Sequence, residues 1–146
     1  MSEQLILVVE DNPDQMELTV LTLEAHDVKA EIVKARDGAE ALEFLLGQGN
    51  HSGRDTHRQP NFVLLDMKLP KLSGLDVLRA MRGNPITALV PVVMLTSSSE
   101  RSDNVACYAA GANSFIRKPV DFGQFTTKLD CVQTYWLSVN ELAAPN

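Results

Sequence analysis

The sequence predicts an α/β protein with one five-stranded parallel β-sheet. Short, almost wholly apolar runs, which are typical of strands buried on both faces, alternate along the chain with segments of helical periodicity. This alternation favours right-handed crossovers that place helices on both faces of the sheet. A chain of 146 residues is long enough for a single domain with a large core, which we place at about residues 4–136 with a short tail at 137–146.

Five segments are the predicted strands. The apolar runs at 5–9, 62–65 and 90–95 are the central strands, and a shorter run covers 114–116. Residues 30–35 alternate in polarity, which suits a strand at the edge of the sheet. Five strands in one doubly wound domain correspond to a flavodoxin-like fold with the strand order 2-1-3-4-5.

The helices are predicted from residues that favour helix ends and from apolar stripes. The first begins near Pro13, the second begins at Asp37, and the third follows Ser73 as its N-cap. The fourth covers about 100–110 and ends at Gly111, and the fifth starts at about Asp121. The stripes are Met16, Val20 and Leu23; Ala41, Leu42, Leu45 and Leu46; Leu75, Leu78 and Met81; and Phe122, Phe125, Leu129, Val132 and Trp136.

Composition and charge exclude several classes of partner and location. The formal net charge is −6 and no cluster of lysine or arginine occurs, so we expect neither nucleic acid nor an anionic membrane as a direct partner. No run approaches the ~20 apolar residues of a membrane span. The N-terminus does not resemble a signal peptide, which favours a cytoplasmic location for the protein. In that reducing compartment we expect Cys107 and Cys131 to be buried free thiols.

A polar, glycine-rich segment at 47–60 interrupts the alternation of strands and helices. It is longer than an ordinary connection between a helix and a strand, and we interpret it as a mobile surface loop. The loop contains His51 and His57, but their spacing does not correspond to that of zinc sites, so a metal there is the weaker interpretation.

Three acidic residues follow apolar strands. Glu10 and Asp11 come directly after the first run, and Asp66 ends the run that begins at 62. Parallel strands place their carboxyl ends side by side, so these carboxylates are predicted to form a cluster suited to a hard divalent cation such as Mg²⁺. The alternative is that they cap the following helices, as Asp11 could do for the helix beginning at Pro13.

Two further polar residues follow the other strands. Thr96 comes just after the fourth apolar run and Lys118 just after the fifth. Carboxylates, a hydroxyl and a lysine at four strand ends are predicted to converge on one crevice. A cation there would neutralise a transferring phosphoryl group, and an aspartate would be its nucleophile. We expect Lys118 to pair with Asp66 before transfer.

The motifs around these residues resemble the successive signatures of bacterial response-regulator receiver domains. They are VEDN at 9–12, LLDMKLPKLSG at 64–74, VMLTS at 93–97 and FIRKP at 115–119. The resemblance covers essentially the whole chain. It implies a phosphoacceptor signalling domain, rather than an enzyme, with Asp66 as the phosphoacceptor. Slow autodephosphorylation would be its one hydrolytic reaction.

The resemblance also assigns roles to the other site residues. Asp11 and Asp66 are ligands of Mg²⁺ or Mn²⁺, Glu10 acts through a metal-bound water, and the backbone carbonyl of Lys68 completes the protein ligands. Lys118 contacts the phosphoryl group and precedes a cis bond to Pro119. Thr96 and Phe115 form a switch pair. The family often has a tyrosine at the position of Phe115, and a phenylalanine lacks the tyrosine hydroxyl.

Less specific sequence features narrow the resemblance to single-domain regulators that are paired with phytochrome-type histidine kinases. They are the 47–60 loop, the 95–100 stretch and the aromatic pair near 135–137. The expected partners are such a kinase and a second copy, bound through the face of the fourth helix, fifth strand and fifth helix. Phe122, Tyr135 and Trp136 would supply apolar contacts there, although Trp136 could equally pack on the sheet. The alternatives are a phosphorelay intermediate and a stand-alone receiver with another kinase.

Three rival functions share parts of this pattern. A haloacid-dehalogenase-type phosphatase requires a second aspartate two residues after its nucleophile, where this chain has Lys68. A flavodoxin-like cofactor carrier requires a phosphate-binding first loop, and the acidic 10–14 segment would repel phosphate. A degenerate receiver domain, which no longer accepts a phosphoryl group and acts only as a scaffold, would not need the complete set of site residues.

Overall fold

Five parallel strands form one sheet in a computed structural model that describes residues 4–97, 100–118 and 121–143. The strands are β1 (Leu5–Val9), β2 (Glu31–Ala35), β3 (Phe62–Asp66), β4 (Val92–Thr96) and β5 (Ser114–Arg117). Their order in the sheet is β2-β1-β3-β4-β5, and every neighbouring pair is parallel. The predicted strand order and the edge position of β2 are therefore confirmed.

Five α-helices connect the strands. They are α1 (Pro13–Glu24), α2 (Gly38–Leu46), α3 (Gly74–Arg82), α4 (Arg101–Ala109) and α5 (Phe122–Thr134). Asp37 caps α2, and Ser73 forms a reciprocal capping box with Asp76 at the start of α3, as those sequences predict. Among the described residues, no helix combines the length and apolar character needed to cross a membrane.

The sheet is buried on both faces because alternate residues of each strand point to opposite sides. In β1, Leu5, Leu7 and Val9 face the core layer shared with α2, α3 and α4. Ile6 and Val8 face the layer shared with α1 and α5. All five residues are almost fully buried, which explains why this strand reads as a continuous apolar run.

The strand order sets up the crevice in which a site can form. The chain crosses from β1 to the edge strand β2, then returns to place β3 on the other side of β1. Val9 of β1 pairs with Leu65 of β3, so the residues that follow these two emerge at the same level of the sheet. This is the switch point at which doubly wound sheets bind ligands.

The segment at 47–60, which was predicted to be a mobile surface loop, contains side-chain hydrogen bonds to the backbone. It contains a short 3₁₀ helix, Gly49–His51. The guanidinium of Arg54 lies 4.0 Å over the ring of Phe44 and donates hydrogen bonds to the carbonyls of Phe44 and Arg58, both at 2.6 Å. The composition of the segment does not reveal that one arginine binds two separate parts of the backbone, and the mobility of the segment stays a prediction.

The carboxyl-terminal part of the fold differs from the prediction in two places. Cys107 is buried as expected, but Cys131 is exposed because it lies off the apolar stripe of α5. After α5 a π-helical turn, Tyr135–Val139, continues the chain past the predicted core boundary at 136, and its Leu137 is buried. Trp136 is half-buried against the α1 and α5 core layer, which agrees with the packing alternative for this residue.

Candidate functional site

Three carboxylates meet at the carboxyl ends of β1 and β3. Oxygen atoms of Glu10, Asp11 and Asp66 all lie within 4.8 Å of one another. The side chains of Glu10 and Asp66 are 4% and 9% exposed, whereas Asp11 is open to solvent. The strands cause this arrangement, because Val9 of β1 pairs with Leu65 of β3 and each is followed directly by a carboxylate residue, Glu10 and Asp66.

Lys118 completes the cluster from the far edge of the sheet. Its ammonium donates hydrogen bonds to Glu10 Oε1 at 2.8 Å and to Asp66 Oδ2 at 3.1 Å. The backbone N–H of Lys118 donates to the carbonyl of Thr96 at 2.6 Å, which holds the end of β5 against β4. The predicted contact with Asp66 is present, and the shorter contact with Glu10 was not predicted.

Backbone N–H groups hold the two buried carboxylates. Asn12 N–H donates to Glu10 Oε2 at 3.2 Å, and Lys68 N–H donates to Asp66 Oδ1 at 3.0 Å. The side chain of Asn12 also caps α1 by accepting a hydrogen bond from Gln15 N–H at 2.9 Å. The capping alternative for Asp11 is therefore wrong. With Pro13 as the first helical residue, the N-cap position falls on Asn12 and leaves Asp11 at the cluster.

Burial and charge shift the pKa values in this cluster. Burial, opposed by the hydrogen bond from Lys118 and reinforced by the neighbouring Asp66, raises the pKa of Glu10 from 4.5 to about 7. Burial disfavours the Lys118 ammonium, but the hydrogen bond to Glu10 and the charges of Asp66 and Glu10 outweigh it, so the pKa of Lys118 is raised. Lys118 therefore stays charged at neutral pH, where Glu10 titrates.

A glycine allows the segment after β3 to fold back over the site. Gly74 N–H donates to the carbonyl of Met67 at 3.0 Å. A Cβ at Gly74 would overlap the carbonyl oxygen of Asp66 and lie 2.9 Å from the Cα of Met67. The position therefore requires a residue without a side chain, a requirement that no pattern in the sequence predicted.

The two predicted switch residues lie on neighbouring strands. Thr96 is fully buried and is the last residue of β4. Phe115 pairs with Met94 in the β4–β5 register and is half-buried against the core layer of α2, α3 and α4. Pro119, for which a cis bond was predicted, lies outside the described residues.

The donor set of the cluster fits a hard divalent cation. Glu10, Asp11 and Asp66 offer only carboxylate oxygens, which Mg²⁺ and Mn²⁺ prefer. The ammonium of Lys118 contacts two of the three carboxyl groups, so negative charge is in excess when all three are ionised, and a bound cation would balance it. Within the described part of the chain, this is the one acidic or histidine cluster with such geometry, and it does not include His51 or His57.

Comparison with known proteins agrees with this architecture. The family model for the response regulator receiver domain matches residues 6–130. Response regulator Rcp1 of Synechocystis sp. is 31% identical over 97% of this chain and 94% of its own length. The crystal structure of its Mn²⁺-bound form covers 97% of this chain and 99% of that chain with a TM-score of 0.87.

Two further solved structures extend the comparison to phytochrome regulators. The phosphorylated cyanobacterial phytochrome response regulator RcpA is 30% identical, with a TM-score of 0.90 and coverage of 98% of this chain and 100% of that chain. The bacteriophytochrome response regulator AtBRR is 43% identical, with a TM-score of 0.75 and coverage of 97% and 100%. The resemblance predicted from the sequence motifs is thereby confirmed.

Proposed function

This chain belongs to the response regulator receiver domain family, and we propose that it accepts a phosphoryl group on Asp66 from the phosphohistidine of a histidine kinase. The observation that carries the proposal is the position of Asp66, a buried carboxylate at the switch point of the sheet that contacts Lys118 at 3.1 Å. Domains of this family interact with histidine kinases, which supplies the donor.

The proposed transfer is a single displacement at phosphorus. A carboxylate oxygen of Asp66 forms a P–O bond as the P–N bond to the kinase histidine breaks, and the electron pair of that bond remains on the imidazole nitrogen. The ammonium of Lys118 then exchanges its contact with Asp66 for one with the phosphoryl oxygens. The N–H of Lys68, which donates to Asp66 Oδ1 at 3.0 Å, holds the carboxylate in a fixed orientation.

We propose that Mg²⁺ or Mn²⁺ is held by Asp11, Asp66 and the backbone carbonyl of Lys68, with Glu10 acting through a water molecule. A cation bound there would neutralise charge on the transferring group. The carboxylate oxygens of Glu10, Asp11 and Asp66, which lie within 4.8 Å of one another, support this assignment. The Mn²⁺-bound form of the relative Rcp1 agrees with the choice of metal.

Thr96 and Phe115 are the proposed switch. The phosphoryl group adds charge of about −1.5 to −2 and strong acceptor oxygens, which attract the hydroxyl of Thr96. Phe115 then fills the space that Thr96 leaves, and the face of α4, β5 and α5 changes shape. The two states need to differ by only a few kcal/mol for phosphorylation to select one of them.

The proposed partners follow from the relatives. A phytochrome-type kinase is the preferred donor because RcpA and AtBRR are named as phytochrome regulators. A phosphorelay intermediate and a receiver served by another kinase are the alternatives. We also propose a homodimer through the α4–β5–α5 face, where Tyr135 is 48% exposed. Phe122, which was predicted to contribute to this face, lies instead beside Leu18 and Leu21 of α1.

The assignment of Asp66 is tested by intact-mass spectrometry after incubation with Mg²⁺ and acetyl phosphate. The wild type should gain the mass of one phosphoryl group, and Asp66→Asn should gain none. Asp55→Asn is the matched control, because Asp55 is an exposed aspartate of the 47–60 loop. A phosphoryl group on Asp66→Asn would overturn the assignment.

The proposed homodimer is tested by sedimentation with and without beryllofluoride. A monomer at high micromolar concentration in both conditions would contradict it.

A further inference from the structure

The residue that follows Asp66 touches helix α4 through two sulfur atoms. Sγ of Cys107 lies 3.9 Å from Sδ of Met67, and the cysteine thiol donates to the methionine thioether. Met67 is partly buried and packs in the same core layer as Cys107, the layer shared by α2, α3 and α4. The phosphoacceptor proposed above is therefore one residue away from a direct contact with a helix.

The backbone of Met67 is part of the structure that holds the Asp66 carboxylate. Met67 N–H donates to the carbonyl of Leu95 at 3.0 Å, and its own carbonyl accepts from Gly74 N–H at 3.0 Å. The next N–H along the chain, that of Lys68, donates to Asp66 Oδ1 at 3.0 Å. Met67 thus lies between the phosphoacceptor and the N–H group that orients its carboxylate, so a shift of Met67 would displace both.

Cys107 is a firm support for this contact. It is the one fully buried residue of α4, every residue of which the structure describes. Its carbonyl accepts a hydrogen bond from Ala112 N–H at 3.0 Å, and Arg82 holds the intervening turn by donating to the carbonyl of Gly111 at 2.9 Å. Burial, reinforced by the charge of Asp103, raises the pKa of the Cys107 thiol, so the S–H donor persists at neutral pH.

We infer that Cys107 is a positioning residue for phosphorylation of Asp66 and that it acts through Met67. This role rests on the proposed function, since the reaction it affects is phosphoryl transfer to Asp66. A reacting group displaced by ~1 Å can lose about 10²-fold in rate, so a residue that fixes the backbone beside the nucleophile affects the reaction without touching it. The methionine side chain is flexible and would take other rotamers without the thiol against it. A cysteine that only fills core space would instead affect stability and leave the rate unchanged.

The positioning role is tested by a double-mutant cycle in the rate of phosphorylation by acetyl phosphate and Mg²⁺, followed by intact-mass spectrometry. Cys107→Ala should slow the reaction about threefold or more, and Met67→Ala at least as much. The double variant should be no slower than Met67→Ala alone, because the cysteine acts through the methionine. Met67→Leu, which nearly conserves the side-chain volume, should stay within about twofold of the wild type. Cys131→Ala is the matched control, because it makes the same change at an exposed thiol, and it should leave the rate unchanged.

A wild-type rate in Cys107→Ala, or a double variant slowed by the product of the two single effects, would overturn the positioning role. If Cys107→Ala does not fold, thiol labelling of Cys131→Ala decides, because Cys107 is then the one thiol of the chain. Coupling is reciprocal, so its reaction with N-ethylmaleimide should change about threefold or more when Mg²⁺ and beryllofluoride, a phosphoryl mimic, are added. Adding Met67→Ala should abolish that response. An unchanged reaction, or a response that survives Met67→Ala, would overturn the role.

The outcomes also separate this role from the proposed function. A wild type that gains no phosphoryl group would contradict the proposed function and the positioning role with it. A wild type that is phosphorylated on Asp66, while Cys107→Ala reacts at the same rate, would contradict the positioning role alone.

Discussion

Lys118, which follows the edge strand β5, donates a 2.8 Å hydrogen bond to Glu10, which follows β1. Two strands, β3 and β4, lie between them in the sheet. The same ammonium contacts Asp66 at 3.1 Å, so one cation compensates two buried carboxylates from different strands. The stability of the site therefore depends on a side chain at the opposite side of the crevice.

Replacement of Lys118 by alanine should destabilise the metal-free protein. Removal of the ammonium leaves Glu10 and Asp66 buried without their cation, and we expect a loss of about 3 kcal/mol in the free energy of unfolding. Urea denaturation in EDTA measures this loss. Lys34→Ala, an exposed lysine of β2, should change the same quantity by less than about 0.5 kcal/mol. Equal stability of the two variants would contradict the bridging role.

The raised pKa of Glu10 predicts a specific dependence of stability on pH. The folded protein holds this proton up to about pH 7, whereas the unfolded chain releases it near 4.5. The Glu10 contribution is therefore complete below about pH 4.5 and is lost as the pH rises through about 7. In EDTA, the free energy of unfolding of the wild type relative to Glu10→Gln should fall by about 3 kcal/mol over this range. A difference that stays constant, or that rises with pH, would show that the carboxyl group is not desolvated.

The sequence predicts the strands and the acidic cluster because both depend on local patterns. Runs buried on both faces are apolar throughout, and residues that end neighbouring parallel strands meet at one edge. The contact between Lys118 and Glu10 was not predictable in this way. It depends on how far a lysine side chain reaches across β4 and β3, and strand order alone does not give that distance.

Two other features of the structure that the sequence does not specify have equally local causes. Asp11 and Asn12 are both good helix caps, and only the position of Pro13 at the first turn of α1 assigns the cap to Asn12. In the 47–60 segment, the composition gives no sign of the hydrogen bonds that Arg54 donates to the carbonyls of Phe44 and Arg58. Side-chain bonds to distant backbone carbonyls leave no periodic signal in a sequence.

Arg54→Gln should therefore loosen the 47–60 loop. The variant loses the contact with the Phe44 ring and the hydrogen bonds to the carbonyls of Phe44, Asp55 and Arg58, and we expect a loss of about 2 kcal/mol in the free energy of unfolding. Limited subtilisin digestion should cut the variant within 47–60 faster than the wild type. Arg79→Gln is the control, because this exposed arginine has only a 3.9 Å ion pair with Asp76, and it should have little effect. A wild-type digestion pattern in Arg54→Gln would mean that the loop does not depend on this side chain.

Gly74→Ala should damage the site without removing any functional group. The added methyl group would overlap the Asp66 carbonyl oxygen, so the end of β3 or the start of α3 must move, at a cost of about 3 kcal/mol. We also expect slower phosphorylation by acetyl phosphate, because Asp66 shifts relative to Lys118. Gly83→Ala is the matched control: its Cβ would meet the Arg79 carbonyl oxygen at 3.5 Å, an ordinary contact. That variant should stay within about 1 kcal/mol of the wild type and phosphorylate normally. Wild-type stability and phosphorylation in Gly74→Ala would show that the backbone beside Asp66 can move at little cost in free energy.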